Sequence, residues 1–179
     1  MMKTMRFVII GTSGSGKSTF AQTLAQAMNS RCIELDELYW GPNWTAASRE
    51  EFENAVLAAT EGECWVVAGN YSSVRDVLWS RATHIVWLNF TRRVVFSRVL
   101  KRTISRILLR TELWNGNRES FRSAFFSKDS VIFYAFSSFT ENRRKFVAAR
   151  QDPKYAHLQW VEITKPHSAQ RFIEQYFAL

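Results

Sequence analysis

Gly11-Thr12-Ser13-Gly14-Ser15-Gly16-Lys17-Ser18, followed at once by Thr19, is the stretch on which the reading of the chain turns. It satisfies the phosphate-binding pattern G-x-x-x-x-G-K-[ST]. Before it stands Arg6-Phe7-Val8-Ile9-Ile10, short, apolar and β-branched, which predicts a buried parallel strand. After it, Phe20, Leu24, Ala27 and Met28 recur at helical spacing. The glycine-rich segment is therefore expected to be the turn from strand to helix, the context the motif requires. Gly11, Gly14 and Gly16 let backbone N–H groups converge on phosphate oxygens, with Ser13, Ser15 and Thr19 alongside, and the first helical turn adds unpaired donors and a positive dipole end. Lys17 is expected to reach the β- and γ-phosphates, and the Ser18 hydroxyl to ligate Mg2+. ATP and Mg2+ are thus the expected cofactors. A dinucleotide fingerprint begun at Gly14 would need a glycine at position 19, where this chain has Thr19.

Outward from that loop, strands and helices alternate. Arg31-Cys32-Ile33-Glu34-Leu35 reads as a second strand ending at Asp36-Glu37, and the aromatic stretch 38–44, with Gly41-Pro42-Asn43 inside it, has loop chemistry. Ser48 and Glu51 form a capping box ahead of the stripe Phe52, Ala55, Val56 and Ala59. Cys64-Trp65-Val66-Val67-Ala68 is a third strand closed by Gly69-Asn70-Tyr71. A short helix over 74–81 leads to a fourth, His84-Ile85-Val86-Trp87-Leu88. The helix opened by Thr91 is expected to pack Phe96, Leu100, Ile104 and Leu108 while showing Arg98, Arg102, Arg106 and Arg110 on its other side. Asn115-Gly116 breaks that pattern, and Asn117 with Glu119 is placed to start a helix bearing Phe121, Phe125, Phe133, Tyr134 and Phe136. A fifth strand over 157–163, a Thr164-Lys165-Pro166 turn and a helix with Phe172, Ile173, Tyr176 and Phe177 close the chain. This order predicts an α/β fold of three layers, a parallel sheet covered by helices on both faces. Residues 1–179 read as one domain, with an acceptor-side segment at 37–62 and a lid at about 102–120.

The net charge of +8 is concentrated. Residues 90–150 carry fourteen Lys and Arg against four acids, so the remainder is close to neutral and the basic half is expected to meet an anion. Polyphosphate, an anionic acceptor and nucleic acid all suit it. No apolar run approaches the roughly 18 residues of a membrane span, and Met1-Met2-Lys3-Thr4 leads straight into the first strand, so a cytoplasmic protein without membrane association is expected. Cys32 and Cys64 lack metal-ligand spacing and read as reduced, buried packing residues.

A phosphate-binding loop of this kind normally works with a carboxylate at the end of a neighbouring strand. The third strand ends in Ala68-Gly69 and the fourth in Asn89, whereas the second ends in Asp36-Glu37. Asp36 is therefore the leading candidate, either to orient or deprotonate an acceptor hydroxyl or to position the metal, with Glu37 beside it. Arg106, Arg110 and Arg118 flank the break in helical pattern and suit closure over a transferring phosphoryl group. Arg102 joins them as a candidate nucleotide contact.

These residues resemble the branch of P-loop kinases that holds nucleoside-monophosphate and shikimate kinases: the loop near residue ten, an acceptor segment after the second strand, a glycine closing the third, an arginine-bearing lid after the fourth. More closely, Asp36-Glu37-Leu38-Tyr39-Trp40, Pro42-Asn43-Trp44, Gly69-Asn70-Tyr71 and Trp114-Asn115-Gly116-Asn117-Arg118-Glu119-Ser120 are similar to a bacterial family of topology-modulation proteins related to adenylate kinase. The resemblance implies a five-stranded sheet in the order 2-3-1-4-5, with acceptor and lid on opposite sides of the phosphates. It implies that Lys165 and Pro166 border the adenine. It also implies that Asp36, Glu37, Tyr39, Trp40, Trp44, Gly69, Asn70, Tyr71 and Arg75 shape the acceptor side. Ala68 stands where adenylate kinases carry an acid, and the next arginine, Arg75, is displaced, which argues against AMP as acceptor. The expected function is transfer of the ATP γ-phosphoryl group to a small acceptor, anionic ones among the candidates. A nucleotide-regulated nucleic-acid-binding protein and a simple NTPase are the alternatives.

Overall fold

Strand β1 (Met5–Gly11) lies between two parallel neighbours, β3 (Cys64–Ala68) and β4 (His84–Leu88), with Val8 opposite Val67 on one side and Ile85 on the other. Its Phe7, Val8, Ile9 and Ile10 are fully buried, as a strand covered on both faces requires. The computed structural model describes residues 4–109, 112–117 and 131–177, of which 131–136, 176 and 177 are described by backbone alone. Strands β2 (Arg31–Glu34) and β5 (Gln159–Ile163) complete a sheet in the order β2-β3-β1-β4-β5, all pairings parallel.

Alternation along β1 divides the core into its two layers. Val8 and Ile10 point to a cluster with Phe52 and Val56 of α3 (Arg49–Ala59) and Leu78 and Trp79 of α4 (Arg75–Arg81). Phe7 and Ile9 point to the opposite cluster, with Phe20 and Leu24 of α1 (Lys17–Ala27) and Val95 and Val99 of α5 (Arg92–Leu108). The long helix α6 (Val131–Gln151) contributes Phe146 to the first cluster and Phe139 to the second. Ile173 and Phe172 of α7 (Pro166–Phe177) pack on the second. The Ser48–Glu51 capping box is formed in both directions. No helix among the described residues is long and apolar enough to cross a membrane.

Three expectations are corrected. Strand β2 stops at Glu34, and Leu35–Tyr39 folds as the short helix α2 rather than as strand and loop. Leu35 is 1% exposed, and Asp36 and Glu37 fall in the first helical turn, where the dipole favours acids. On α5 the buried side chains are Val95, Val99 and Thr103, whereas Phe96, Ile104 and Leu108 are exposed. The packed stripe is displaced by about one position, and it brings the arginine row round to its flank. The cysteines are free, but half-buried rather than buried. The proposed start of a helix at Asn117 and Glu119 falls partly outside the described residues, as do Phe121 and Phe125; Asn117 itself has extended backbone.

Candidate active site

The sheet delivers the glycine-rich loop at the end of β1, and Gly16 caps α1 in the left-handed conformation, φ 88°. No side chain caps this helix and no acid stands in its first turn, so its N-terminal donors and positive dipole end are left for an anion. Lys17 is half-buried; its Nζ donates to the carbonyls of Gly11 (3.0 Å) and Thr12 (3.2 Å). Burial pushes its pKa down to about 8; the charges of Asp36 and Glu34 act against that and the Arg102 charge adds to it.

Gly14 explains why α5 belongs to this site. A Cβ there would lie 2.3 Å from Val99 Cγ2 and 2.8 Å from the Val95 carbonyl, so only a glycine lets the helix rest on the loop. Docked so, Arg98 Nη1 donates to the Ser15 carbonyl at 3.2 Å, and Arg102 Nη2 stands 3.5 Å from Ser13 Oγ. Arg98 also lies over the Phe90 ring, its carbon 5.3 Å from the centroid. Arg102, the candidate nucleotide contact, thus stands beside the loop, Arg98 joins it there, and Arg106 sits one turn further along α5. Arg110 and Arg118 lie outside the described residues.

The carboxylate that pairs with the Ser18 hydroxyl, Glu34, is one the sequence reading passed over. Ser18 Oγ donates to Glu34 Oε2 at 3.1 Å, at the last residue of β2. Burial pushes the Glu34 pKa up to about 7; the hydrogen bond from Ser18 pulls the other way and the Asp36 charge adds to the rise. Its Oε1 is buried without a hydrogen-bond partner. An orphaned, costly acceptor beside the hydroxyl expected to ligate Mg2+ fits a hydrated cation, which would relieve it. No cluster of three or more His, Cys, Asp or Glu with metal-binding geometry occurs among the described residues. Mg2+ keeps several waters and takes few protein ligands besides nucleotide phosphates.

Asp36, two residues on, faces the other way chemically. Its Oδ1 accepts from the Tyr71 hydroxyl at 2.6 Å. Burial and the Asp36 charge push the Tyr71 pKa upward, so its phenol remains a donor. Tyr71 leads into an aromatic cluster: its ring lies 4.7 Å from Tyr39, Tyr39 is 4.8 Å from Trp40, and Trp40 is 5.7 Å from Trp44. Beside it opens a cavity of about 560 Å3 lined by Glu37, Tyr39, Trp40, Glu51 and Asn115 among others. Of the acceptor-side candidates, Glu37, Tyr39 and Trp40 line that cavity, and Asp36, Trp44, Gly69, Asn70, Tyr71 and Arg75 do not. The Arg75 guanidinium instead lies over Trp79, 5.1 Å from the ring centroid. Gly69 has a packing role, since a Cβ there would sit 2.7 Å from that of Leu35. Lys165 and Pro166 stand exposed at the start of α7, where the Lys165 carbonyl accepts from Ser168 N at 3.1 Å. The Cys32 thiol is pushed up to about 11 by burial and the Glu34 and Glu37 charges, which removes it as a nucleophile.

No protein-family model matches the chain, and no curated protein matches it. Solved structures do. Shikimate kinase from Bacteroides thetaiotaomicron superposes with a TM-score of 0.53 at 18% identity, over 98% of this chain and 99% of that one. Shikimate kinase from Aquifex aeolicus gives 0.53 at 17%, over 97% and 94%, and a sugar kinase from Janibacter gives 0.53 at 16%, over 98% and 93%. At such identities the likeness carries the architecture: this chain has the P-loop fold that these kinases share, along its whole described length.

Proposed function

We propose that the protein is an ATP-dependent phosphotransferase that moves the γ-phosphoryl group to a hydroxyl of a small acceptor. The carrying observation is the Ser18–Glu34 pair beside half-buried Lys17 at an uncapped helix N-terminus. Mg2+ held by Ser18 directly and by Glu34 through water would neutralise phosphate charge. Lys17, Arg98 and Arg102 bring three further positive charges to the loop, where they stabilise charge on the phosphoryl oxygens as it builds. Asp36 takes the acceptor side. With Oδ1 held by Tyr71, its Oδ2 is the oxygen left to receive the acceptor proton as the acceptor O–P bond forms and the bond to ADP breaks. Of the two roles open to Asp36 in the sequence, this reading gives it the base and passes the metal to Glu34.

The cavity narrows the acceptor. Its lining offers the Glu37 and Glu51 carboxylates and the Tyr39 and Trp40 rings, and no Lys or Arg among the described residues. Such walls favour a neutral or cationic hydroxyl compound over a carboxylate or phosphate. The finer resemblance to topology-modulation proteins is part of this reading, since Glu37, Tyr39, Trp40, Asn43 and Asn115 of the strings that carry it line the cavity. ATP dependence agrees with a cytoplasmic location. The nucleic-acid alternative loses ground because two arginines of the α5 row already face the phosphate loop.

The test is ADP release from MgATP by wild type and Lys17→Ala across nucleosides, nucleotides, sugars, amino alcohols and shikimate-like acids. One hydroxyl class is expected to raise Lys17-dependent turnover about 100-fold above the water background. Equal rates with every compound would replace the kinase reading by a simple NTPase.

A further inference from the structure

Two loops that are more than 70 residues apart in sequence are locked together, and both belong to strings that the phosphate chemistry leaves unused. The first runs from Glu37 to Ala47 and forms the cavity wall. It closes on itself through Gly41 N to the Thr45 carbonyl (2.7 Å) and Ala47 N to the Tyr39 carbonyl (2.9 Å). At its tip Asn43 and Trp44 are both left-handed, φ 54° and 57°, a conformation that a bulky residue such as Trp44 adopts only when its surroundings impose it. The second is the turn Trp114–Gly116 and Asn117, beyond the arginine-bearing helix α5.

The lock is two asparagine side chains. Asn117, 4% exposed, accepts from Trp44 N at 2.8 Å and donates to the carbonyls of Gly41 (2.9 Å) and Trp114 (2.8 Å). Asn115 donates to the Trp40 carbonyl at 2.6 Å, with Glu37 O at 3.4 Å. Four backbone groups of the wall are thus satisfied from outside it, among them the N–H of strained Trp44. An asparagine alone offers both donor and acceptor in one short planar group, so neither Asp nor Leu would reproduce the Asn117 pattern.

Resting on the phosphotransferase reading, we infer that Asn115 and Asn117 are positioning residues that hold the 37–47 wall in its acceptor-binding form. The acceptor site is then complete only while the segment after α5 is docked on it. The same helix that meets the phosphate loop through Arg98 and Arg102 leads into the turn that shapes the acceptor wall. Nucleotide affinity is not set by the lock, because neither asparagine touches the phosphate loop.

The experiment compares wild type, Asn117→Ala and, because Asn117 is buried, the exposed-side variant Asn115→Ala, all in the full chain. Amide hydrogen exchange over residues 40–47 is expected to quicken about tenfold while β1 and α1 exchange as in wild type, with the dissociation constant for the Mg2+ complex of a non-hydrolysable ATP analogue within twofold. On the acceptor that accelerates wild-type turnover, KM is expected to rise about tenfold with kcat changed far less. Unchanged exchange over 40–47 in both variants overturns the inference, and so does quickened exchange with an unaltered acceptor KM. If no acceptor accelerates the wild type, the phosphotransferase reading fails and this inference falls with it; an altered KM in neither variant sinks the lock alone.

Discussion

Glu34 is under two opposed demands. The proposed metal role calls for its carboxylate as a charge beside Ser18, yet burial holds its pKa near 7, well above the ordinary 4.5. The folded protein therefore binds a proton that the unfolded chain has released between those two values, and stability falls as pH rises through that window. Lys17, depressed to about 8, acts in the opposite sense: its stability penalty is relieved as pH rises from 8 toward 10.5. Glu34→Gln should remove the first slope, leaving the variant about 2 kcal/mol more stable than wild type at pH 8, after allowance for partial exposure, with the gap closing by pH 4.5. Urea denaturation at the two pH values measures this, and an unchanged gap would show that Glu34 is not buried as a charge. The same substitution should lower Mg2+-dependent turnover by about 100-fold. The sequence pointed to Asp36 because the apolar run of β2 extends through Leu35, whereas the strand itself ends at Glu34. What was hidden is that Leu35 is consumed in packing against Gly69, which makes Glu34 the last strand residue.

Helix α5 shows what periodicity can and cannot reveal. Its existence, its start at Thr91 and its arginine row were all legible. The packed stripe was not, because Phe96–Leu100–Ile104–Leu108 and Val95–Val99–Thr103 share one helical spacing, and only the close approach to Gly14 selects the second. Gly14→Ala should accordingly destabilise by about 2–4 kcal/mol, the sum of a left-handed alanine and an overpacked contact with Val99. Gly62→Ala supplies the comparison: φ is 97° there, but nothing lies within 4 Å of the added Cβ, so only about 1 kcal/mol is expected. Equal losses at the two sites would mean that α5 does not press on the loop. Arg102→Ala should weaken MgATP binding about tenfold, while Lys101→Ala, on the exposed side, should leave it unchanged. The aromatic string 38–44 is the converse case. Its residues were marked as acceptor-side candidates, but no local pattern could show that Asn117, far along the chain, completes the wall.

The whole sheet was the most legible feature, since each strand is a short apolar run between turn signals and the order 2-3-1-4-5 followed from the resemblance. That order matters chemically. The chain crosses from one side of β1 to the other, so the loop after β1 opens at the carboxyl ends of the strands, where ligands of open α/β sheets bind. Ligand and fold are therefore linked: saturating the protein at about 100 times the dissociation constant with the Mg2+ complex of a non-hydrolysable ATP analogue should add about 2.7 kcal/mol of stability. For a domain of this size that is a rise in Tm of roughly 5–10 °C, and Lys17→Ala should abolish most of it in a thermal scan. The measurement that bears most directly on the central claim is phosphorus NMR of MgATP turnover with the accelerating acceptor present. Growth of a phosphoester resonance in step with ADP, absent in Lys17→Ala and Asp36→Asn, is the result expected of a phosphotransferase. Appearance of inorganic phosphate alone would contradict it and leave hydrolysis as the reaction of this site.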